Sequence, residues 1–177
     1  MTTARVPAVL GDAVIGTASY RLVPIDYPTA AAIIVGQLDS LVCAPGWPTA
    51  DTPDALAGFV AGGDRSAYGG WLITRRSDGA VVGDCGWRGG PDVNGDVEIG
   101  YGLAAPSRRQ GIATEAIGAL VAWIAEQPGV RRIVAEVLAD NLPSRRLLER
   151  LGFTYSHPVP PHVWYSKLPG QPADSTP

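Results

Sequence analysis

The first hundred residues contain short, largely apolar stretches bounded by proline or by glycine-containing turns, a pattern that is typical of strands. Two of these stretches, 68–74 and 80–88, are joined by an Asp78-Gly79 turn, which predicts a hairpin. Apolar residues at helical spacing predict two early helices, over 26–41 and from Thr52 onward. The strands predicted in this half of the chain are 17–23, 68–74, 80–88 and 97–103.

The pattern changes after residue 103. Apolar residues recur at helical spacing from Ala113 to Ile124, which predicts an amphipathic helix. The nearly continuous apolar run 133–138 predicts a strand that is buried on both faces. A second amphipathic helix is predicted over 141–151, with Gly152 as its C-terminal cap. The chain closes with two predicted strands, 153–156 and 162–168.

These elements predict a mixed α/β domain whose early strands are antiparallel. The helix between strands 97–103 and 133–138 is a crossover, and such a crossover joins parallel strands. We expect one domain over 17–168, after a flexible leader at 1–16 and before a disordered tail at 169–177. A ligand is expected beyond the carboxyl end of strand 97–103, where the crossover helix begins.

Composition narrows the class of protein. The chain has 177 residues, 46% of them hydrophobic, and a net charge of -3, which indicates a packed domain and excludes disorder. The longest apolar helical stretch, Ala116–Ala125, is too short for the ~20 residues of a membrane span. Cys43 and Cys85 are too few for a disulfide framework. We expect a cytoplasmic protein without membrane or nucleic-acid partners, whose 22 glycines need an explanation.

The glycines are most informative in the segment 98–116, at the start of the crossover helix. A dinucleotide-binding loop would need an acidic residue about 20 residues after its glycines, and Asp140 comes too late for that role. The Gly-Lys-Ser/Thr sequence of a P-loop does not occur. One remaining interpretation is an anion site at Arg108–Thr114, because helix N-termini have free amides and a partial positive charge. The alternative is a solvated basic loop before an ordinary helix.

Two motifs in order resemble a known family. The sequence V-E-I-G-Y-G-L at 97–103, followed by R-x-x-G-x-A at 108–113, strongly resembles the acetyl-CoA-binding motif of the GNAT superfamily of N-acetyltransferases. The segment 135–153, with N-x-x-S at 141–144, is similar to the RimJ/RimL-type branch. The resemblance covers 17–168 and implies a central mixed, mostly antiparallel sheet of about seven strands. It also implies four flanking helices and strands that splay apart at the acetyl-CoA site.

The resemblance assigns a cofactor-binding set and requires no metal. It implies that acetyl-CoA is the cosubstrate and that its pyrophosphate lies on the loop before the crossover helix, while its pantetheine arm runs along the end of strand 97–103. The implied cofactor-binding residues are Leu103, Arg108, Arg109, Gln110, Gly111, Ile112, Ala113, Thr114, Asn141 and Ser144. For Asn141, capping of its own helix is an alternative role.

Two residues are candidates for proton transfer. Glu98 shares a strand face with Gly100 and Gly102, which leaves room for a substrate beside a carboxylate that can act as general base, directly or through water. An ion pair with a neighbouring arginine is the alternative for Glu98. Ser144 matches the position at which RimJ/RimL-type enzymes hydrogen-bond the thioester sulfur, and its alternative is helix capping. Leu148 replaces the tyrosine that serves as acid in many members of the superfamily.

The acceptor pocket is expected to involve Trp47, Trp87, Gly100 and Gly102, although tryptophans more often lie in the core. Asp84 or Asp51 is also a candidate for holding a substrate cation, but isolated aspartates in loops are usually solvated. The expected acceptor is a primary amine, either a protein N-terminus or a small molecule. An aminoglycoside-type antibiotic acetyltransferase and a non-catalytic acyl-CoA sensor are the alternatives. The oligomeric state is open, and a homodimer is compatible with the sequence.

Overall fold

The protein forms a single twisted sheet with helices on both faces. The computed structural model describes residues 13–62 and 68–171. The strands are β1 Ile15–Gly16, β2 Tyr20–Pro24, β3 Tyr68–Arg75, β4 Val81–Arg88, β5 Asp96–Leu103, β6 Arg132–Leu138, β7 Thr154–Val159 and β8 His162–Lys167. The helices are α1 Tyr27–Ile34, α2 Thr52–Gly62, α3 Ile112–Ala125 and α4 Leu142–Arg150.

The order of strands in the sheet is β1-β2-β3-β4-β5-β6-β8-β7. Neighbouring strands are antiparallel except for β5 and β6, which are parallel and are joined through α3. The predicted fold class is therefore confirmed, with eight strands in the described part of the chain where the sequence led us to expect about seven.

The main core lies between the sheet and α3. Ile117, Leu120 and Ile124 of α3 are fully buried, as the helical period predicts. They pack in one cluster with residues of β3 to β6 and with Leu148 of α4. Burying a side chain of this size is worth about 1.5–3 kcal/mol, so this face of α3 fixes the crossover firmly on the sheet.

A second core cluster occupies the opposite face at the β2–β4 end. There α1 and α2 cover Leu72 and Val81 together with Trp47. Beyond β4 this face is more open: on β6, Glu136 and Leu138 are exposed. The prediction that strand 133–138 is buried on both faces is therefore wrong, because α1 and α2 cover only the other end of the sheet.

Several boundaries differ from the predicted ones. Strand β1 lies within the predicted leader, and Ile15 is buried. Helix α1 ends near Ile34 rather than at 41, because Gly36 adopts a left-handed conformation (φ 75°) and terminates it. Residues 1–12 of the expected leader and 172–177 of the expected tail lie outside the described residues. Among the helices that are described, none has the length and hydrophobicity needed to cross a membrane.

Candidate active site

A cleft opens where β5 and β6 separate. The register between these parallel strands runs from Asp96 opposite Arg132 to Ile99 opposite Ala135 and ends there. A cavity of about 200 Å³ lies in the resulting gap. Its lining residues are Ile99, Gly100, Tyr101, Ala135, Glu136, Val137, Leu138, Asn141, Ser144 and His162. This is the position beyond the paired part of strand 97–103 at which the crossover predicts a ligand.

The loop before α3 exposes the start of that helix. Arg109 and Gly111 both have left-handed backbone conformations, with φ of 61° and 79°. Gly111 is the N-cap residue and supplies no side-chain hydrogen bond to the amides of the first turn. A Cβ added to Gly111 would meet nothing within 4 Å among the described residues. Gly111 therefore neither caps the first-turn amides with a side chain nor fills the space beside itself, and helix-start amides without such a cap suit an anion.

The predicted cofactor-binding residues of this loop lie together but differ in how exposed their side chains are. The side chains of Arg108, Arg109 and Gln110 are exposed. The Nε of Arg108 donates to the carbonyl of Leu103 at 3.1 Å, so this arginine ties the loop to the end of β5. Ile112 is only 1% exposed, so it can offer a ligand its backbone but not its side chain.

The sequence interpretation missed a third guanidinium near this loop. Nη1 of Arg150, at the end of α4, donates to Oγ1 of Thr114 at 3.3 Å. The contact brings the last turn of α4 against the first turn of α3. It could not be foreseen from spacing, because the two residues meet only when both helices pack on the sheet.

Asn141 and Ser144 lie at the start of α4 and both line the cavity. Oδ1 of Asn141 accepts a hydrogen bond from the backbone N–H of Ser144 at 3.2 Å, so the capping role considered for Asn141 is present. The hydroxyl of Ser144 is 2.6 Å from the hydroxyl of Tyr101 on β5. Burial raises the pKa of Tyr101 to about 12, although its hydrogen bond with Ser144 opposes that shift. Tyr101 was missed as a site residue because its spacing marks it only as an inward-facing strand residue.

Glu98 lies on the face of β5 opposite to the main core, as the strand alternation predicts. Val97 and Ile99 are buried, whereas Gly100 is exposed. Oε1 of Glu98 is 3.8 Å from Nη1 of Arg88 on β4, so the ion pair considered for it exists with long geometry. Burial raises the pKa of Glu98. The positive charge of Arg88 lowers this pKa, and the negative charge of Glu136 raises it. Glu98 does not line the cavity itself. It lies two residues before Gly100, which does.

Two further polar residues on the cavity wall were missed. Nδ1 of His162 on β8 lies 3.5 Å from Oε1 of Glu136 on β6. The sequence signal for Glu136 was a charged residue at an alternating position of β6, which the assumption of a doubly buried strand obscured. In the described parts of the chain, no three His, Cys, Asp or Glu side chains gather as metal ligands would.

The two tryptophans expected in the acceptor pocket are not at the cavity. Trp87 is 3% exposed and packs against Trp71 and Trp123 in the main core, with ring centroids 6.4 and 5.6 Å away. Trp47 is 4% exposed and lies in the second core cluster, where its indole N–H donates to Asp84. Their assignment to substrate binding is therefore corrected: large apolar rings are stabilised more by burial than by lining an open groove.

Comparisons with known proteins agree with this architecture. Residues 21–154 match the acetyltransferase (GNAT) domain family. The uncharacterized N-acetyltransferase YjdG of Bacillus subtilis is 35% identical over 115 residues, which cover 63% of this chain and 68% of YjdG.

Two solved structures share the fold. RimJ of Mycobacterium smegmatis, in complex with CoA-disulfide, superposes with a TM-score of 0.67 at 20% identity, covering 93% of this chain and 92% of RimJ. The ribosomal-protein-S5-alanine acetyltransferase of Vibrio fischeri gives 0.66 at 16% identity, covering 90% and 98%. Since the family match includes the strand, the loop and the helix that form the cleft, this chain belongs to the GNAT acetyltransferase family and is an acetyltransferase.

Proposed function

We propose that the protein transfers the acetyl group of acetyl-CoA to a primary amine by direct attack of the amine. The observation that carries this proposal is the cavity in the β5–β6 gap, with the paired hydroxyls of Tyr101 and Ser144 in its wall. The chain runs from β5 through the loop 104–111 to the N-terminus of α3. Each part of that arrangement has a role in the proposed reaction.

The loop before α3 fits the pyrophosphate of CoA. Gly111, with its left-handed backbone, places no side chain over the start of α3, and the exposed Arg108 and Arg109 precede it in the same loop and add positive charge. Arg150 contacts Thr114 and extends the basic surface toward α4. Acetyl-CoA, when bound there, supplies an acetyl thioester. The end of β5 near Leu103 pairs with β4 but not with β6, and its free edge would run alongside the pantetheine arm.

Glu98 is the proposed proton acceptor. An ammonium ion must lose a proton before its nitrogen can attack a carbonyl carbon, and a carboxylate with a raised pKa is a better base near neutral pH. Because Gly100 lies between Glu98 and the cavity, a water molecule is the proposed carrier of this proton. The Glu136–His162 pair on the cavity wall is the second group that could accept it.

Ser144 is the proposed donor to the leaving sulfur. In the balanced reaction the ammonium ion first gives one proton to the base. The neutral amine then attacks, the N–C bond forms and the C–S bond breaks, and a second proton leaves the nitrogen while the CoA thiolate gains one to become the thiol. The hydroxyl of Ser144 lies in the cavity wall, and Tyr101 holds it from behind. The proposed site thus contains a tyrosine that orients the donor from β5, whereas the helix position that many members fill with tyrosine holds Leu148.

The acceptor remains either a protein N-terminal amine or a small-molecule amine. Gly100 supports an open acceptor side, since a Cβ placed there would meet nothing within 4 Å among the described residues. A solved structure that shares this fold is named as RimL, a ribosomal L7/L12 alpha-N-protein acetyltransferase, in complex with coenzyme A. That name supports a protein N-terminus as one of the two acceptor classes to test.

The deciding experiment measures CoA release from acetyl-CoA with a panel of primary amines and peptides with free N-termini. We expect turnover with at least one class and a mass increase of one acetyl group on the acceptor. Tight CoA binding without acetylation of any amine would instead support a sensor. The turnover of Glu98→Gln and of Glu136→Gln, each measured with whichever acceptor class reacts faster, shows which carboxylate takes the proton. Loss of turnover in Glu136→Gln alone would overturn the assignment to Glu98.

A further inference from the structure

Asp84 is a carboxylate of the acceptor face that the proposed chemistry does not use. The register of β4 and β5 places it directly opposite Gly102, and Gly86, two residues along β4, lies opposite Gly100. Side chains alternate along a strand, so Asp84 is on the same face of the sheet as Glu98 and the two glycines. The expectation of a solvated loop aspartate is therefore wrong: Asp84 is a strand residue of this face.

Two hydrogen bonds fix the orientation of this carboxylate. Its Oδ2 accepts from the indole Nε1 of Trp47 at 2.8 Å and from the hydroxyl of Thr52 at 2.8 Å. Thr52 is itself held, since its Oγ1 accepts from the backbone N–H of Thr49 at 3.1 Å. The donors come from the segment that begins α2, so the second core cluster holds Asp84 in place from one side.

The other oxygen of Asp84 points toward the glycine surface of β5. A Cβ added to Gly102 would lie 3.8 Å from Oδ1, in ordinary van der Waals contact. With glycine at this position, no side chain of residue 102 stands between Oδ1 and the face on which an acceptor would lie. The hydroxyl of Thr49 lies beside it, 3.6 Å from the same Cβ position, so Oδ1 and this hydroxyl border the glycine surface together.

The charge of Asp84 has little compensation from the part of the chain that the structure describes. None of the ion pairs formed by the described residues includes it. Burial raises its pKa, the two hydrogen bonds to Oδ2 lower it, and the neighbouring charge of Asp51 raises it further. A partly buried carboxylate without a counter-ion is costly, and a bound cation would remove that cost.

We propose that Asp84 is a subsite for a second positive charge on the acceptor, so that the preferred substrate is a primary amine that also carries an ammonium or guanidinium group. The inference rests on the proposed function and specifies its substrate class. Residues 100 and 102 are separated by ~7 Å along β5, which sets the spacing between the reacting nitrogen and the second cation at about that distance or somewhat more.

Matched acceptors test the proposal in the whole enzyme. We expect 1,5-diaminopentane to have a KM about tenfold or more below that of 1-aminopentane, which has the same chain but one charge. A peptide with lysine after its N-terminal residue, compared with the same peptide carrying norleucine there, asks the question for a peptide acceptor. Equal KM values within both pairs would overturn the inference while leaving the acetyltransferase activity in place.

Asp84→Asn separates a binding role from a structural one. The amide oxygen can still accept from Trp47 and Thr52, so the fold is retained while the charge is removed. We expect the advantage of the dicationic acceptor to disappear, with the KM for acetyl-CoA and for the monoamine unchanged. An equal loss with both acceptors would show that Asp84 only holds the α2 segment. Asp51→Asn, which removes the same charge from an exposed neighbour, is the control and should keep most of the preference.

A second variant and a second measurement keep the test independent of folding and of turnover. Gly102→Ala adds a methyl group in ordinary contact distance of Oδ1, and we expect it to reduce the diamine preference by shielding the carboxylate. Titration calorimetry of 1,5-diaminopentane with the CoA-bound protein measures the subsite without chemistry. Binding that is unchanged by Asp84→Asn would overturn the proposal even if no acceptor is acetylated.

Discussion

The role of the hydrogen bond between Tyr101 and Ser144 can be tested with a substitution that removes a single oxygen atom. Tyr101→Phe keeps the ring in the core and deletes the hydroxyl that lies 2.6 Å from Oγ of Ser144. A neutral hydrogen bond of this kind is worth about 1 kcal/mol net, so we expect the free energy of unfolding to fall by about that amount. Turnover should fall by about tenfold, the equivalent of ~1.4 kcal/mol, because Ser144 loses the group that orients it.

A kinetic assay separates the orientation of the Ser144 hydroxyl from the binding of acetyl-CoA. CoA release is measured with acetyl-CoA and a saturating amine for the wild type, Tyr101→Phe, Ser144→Ala and the double variant. We expect kcat to fall in both single variants, by about 100-fold for Ser144→Ala, with the KM for acetyl-CoA little changed. The double variant should be no slower than Ser144→Ala, because both changes remove the same interaction. Losses that multiply in the double variant would refute the coupled pair.

The same tyrosine predicts a loss of stability at alkaline pH. Its pKa is raised from 10.0 to about 12, so the folded protein keeps the phenol neutral while the unfolded chain ionises. The contribution is therefore complete below pH 10 and is lost as the pH rises from 10 to 12. At pH 11 the loss is about 1.4 kcal/mol relative to pH 9. The free energy of unfolding in urea, measured at pH 9 and pH 11, should fall by this amount more in the wild type than in Tyr101→Phe. Equal falls in the two proteins would contradict the prediction.

Further predictions concern the proposed base, the cofactor loop and the core. Glu98→Gln should lower kcat by about 100-fold. Because burial raises the pKa of Glu98 and Arg88 lowers it, Arg88→Ala should move the acid limb of the kcat/KM profile to higher pH; an unmoved limb would assign it to another group. Gly111→Ala should raise the KM for acetyl-CoA several-fold, since an L-residue at φ 79° costs about 1–2 kcal/mol; an unchanged KM would argue against this loop as the cofactor site. Trp87→Phe should lower the melting temperature and leave the acceptor KM unchanged, whereas a raised KM would restore Trp87 to the acceptor pocket.

The sequence predicted the elements that depend on local spacing. The helix from Ala113 to Ile124 and the hairpin at Asp78-Gly79 follow from hydrophobic period and turn chemistry, and the structure contains both. Gly111 could also be identified, because the need for a residue without a Cβ at a helix start is visible in the motif itself. The early end of α1 shows the limit of the same method: apolar residues continue to Leu41, but the left-handed Gly36 stops the helix first.

The sequence did not predict which face of each strand is covered, and for this reason several candidate site residues were assigned wrongly or missed. Trp87 is an aromatic residue on a strand beside the cleft, and only the packing of α3 shows that it belongs to the core. Glu136 was hidden for the opposite reason, since the apolar residues around it suggested burial on both sides. A period of two gives the two faces of a strand but does not say which face another element covers.

By itself, the sequence determined the order of elements, the crossover between β5 and β6 and the glycine-rich start of α3. These depend on residues within a few positions of one another. Only the tertiary structure joined Tyr101 to Ser144, 43 residues later, and Asp84 to Trp47, 37 residues earlier. Such contacts depend on strand register and on the point where β5 and β6 stop pairing, and both are set by the packing of the whole sheet. The sequence thus located the cleft, and the packing decided which side chains face it.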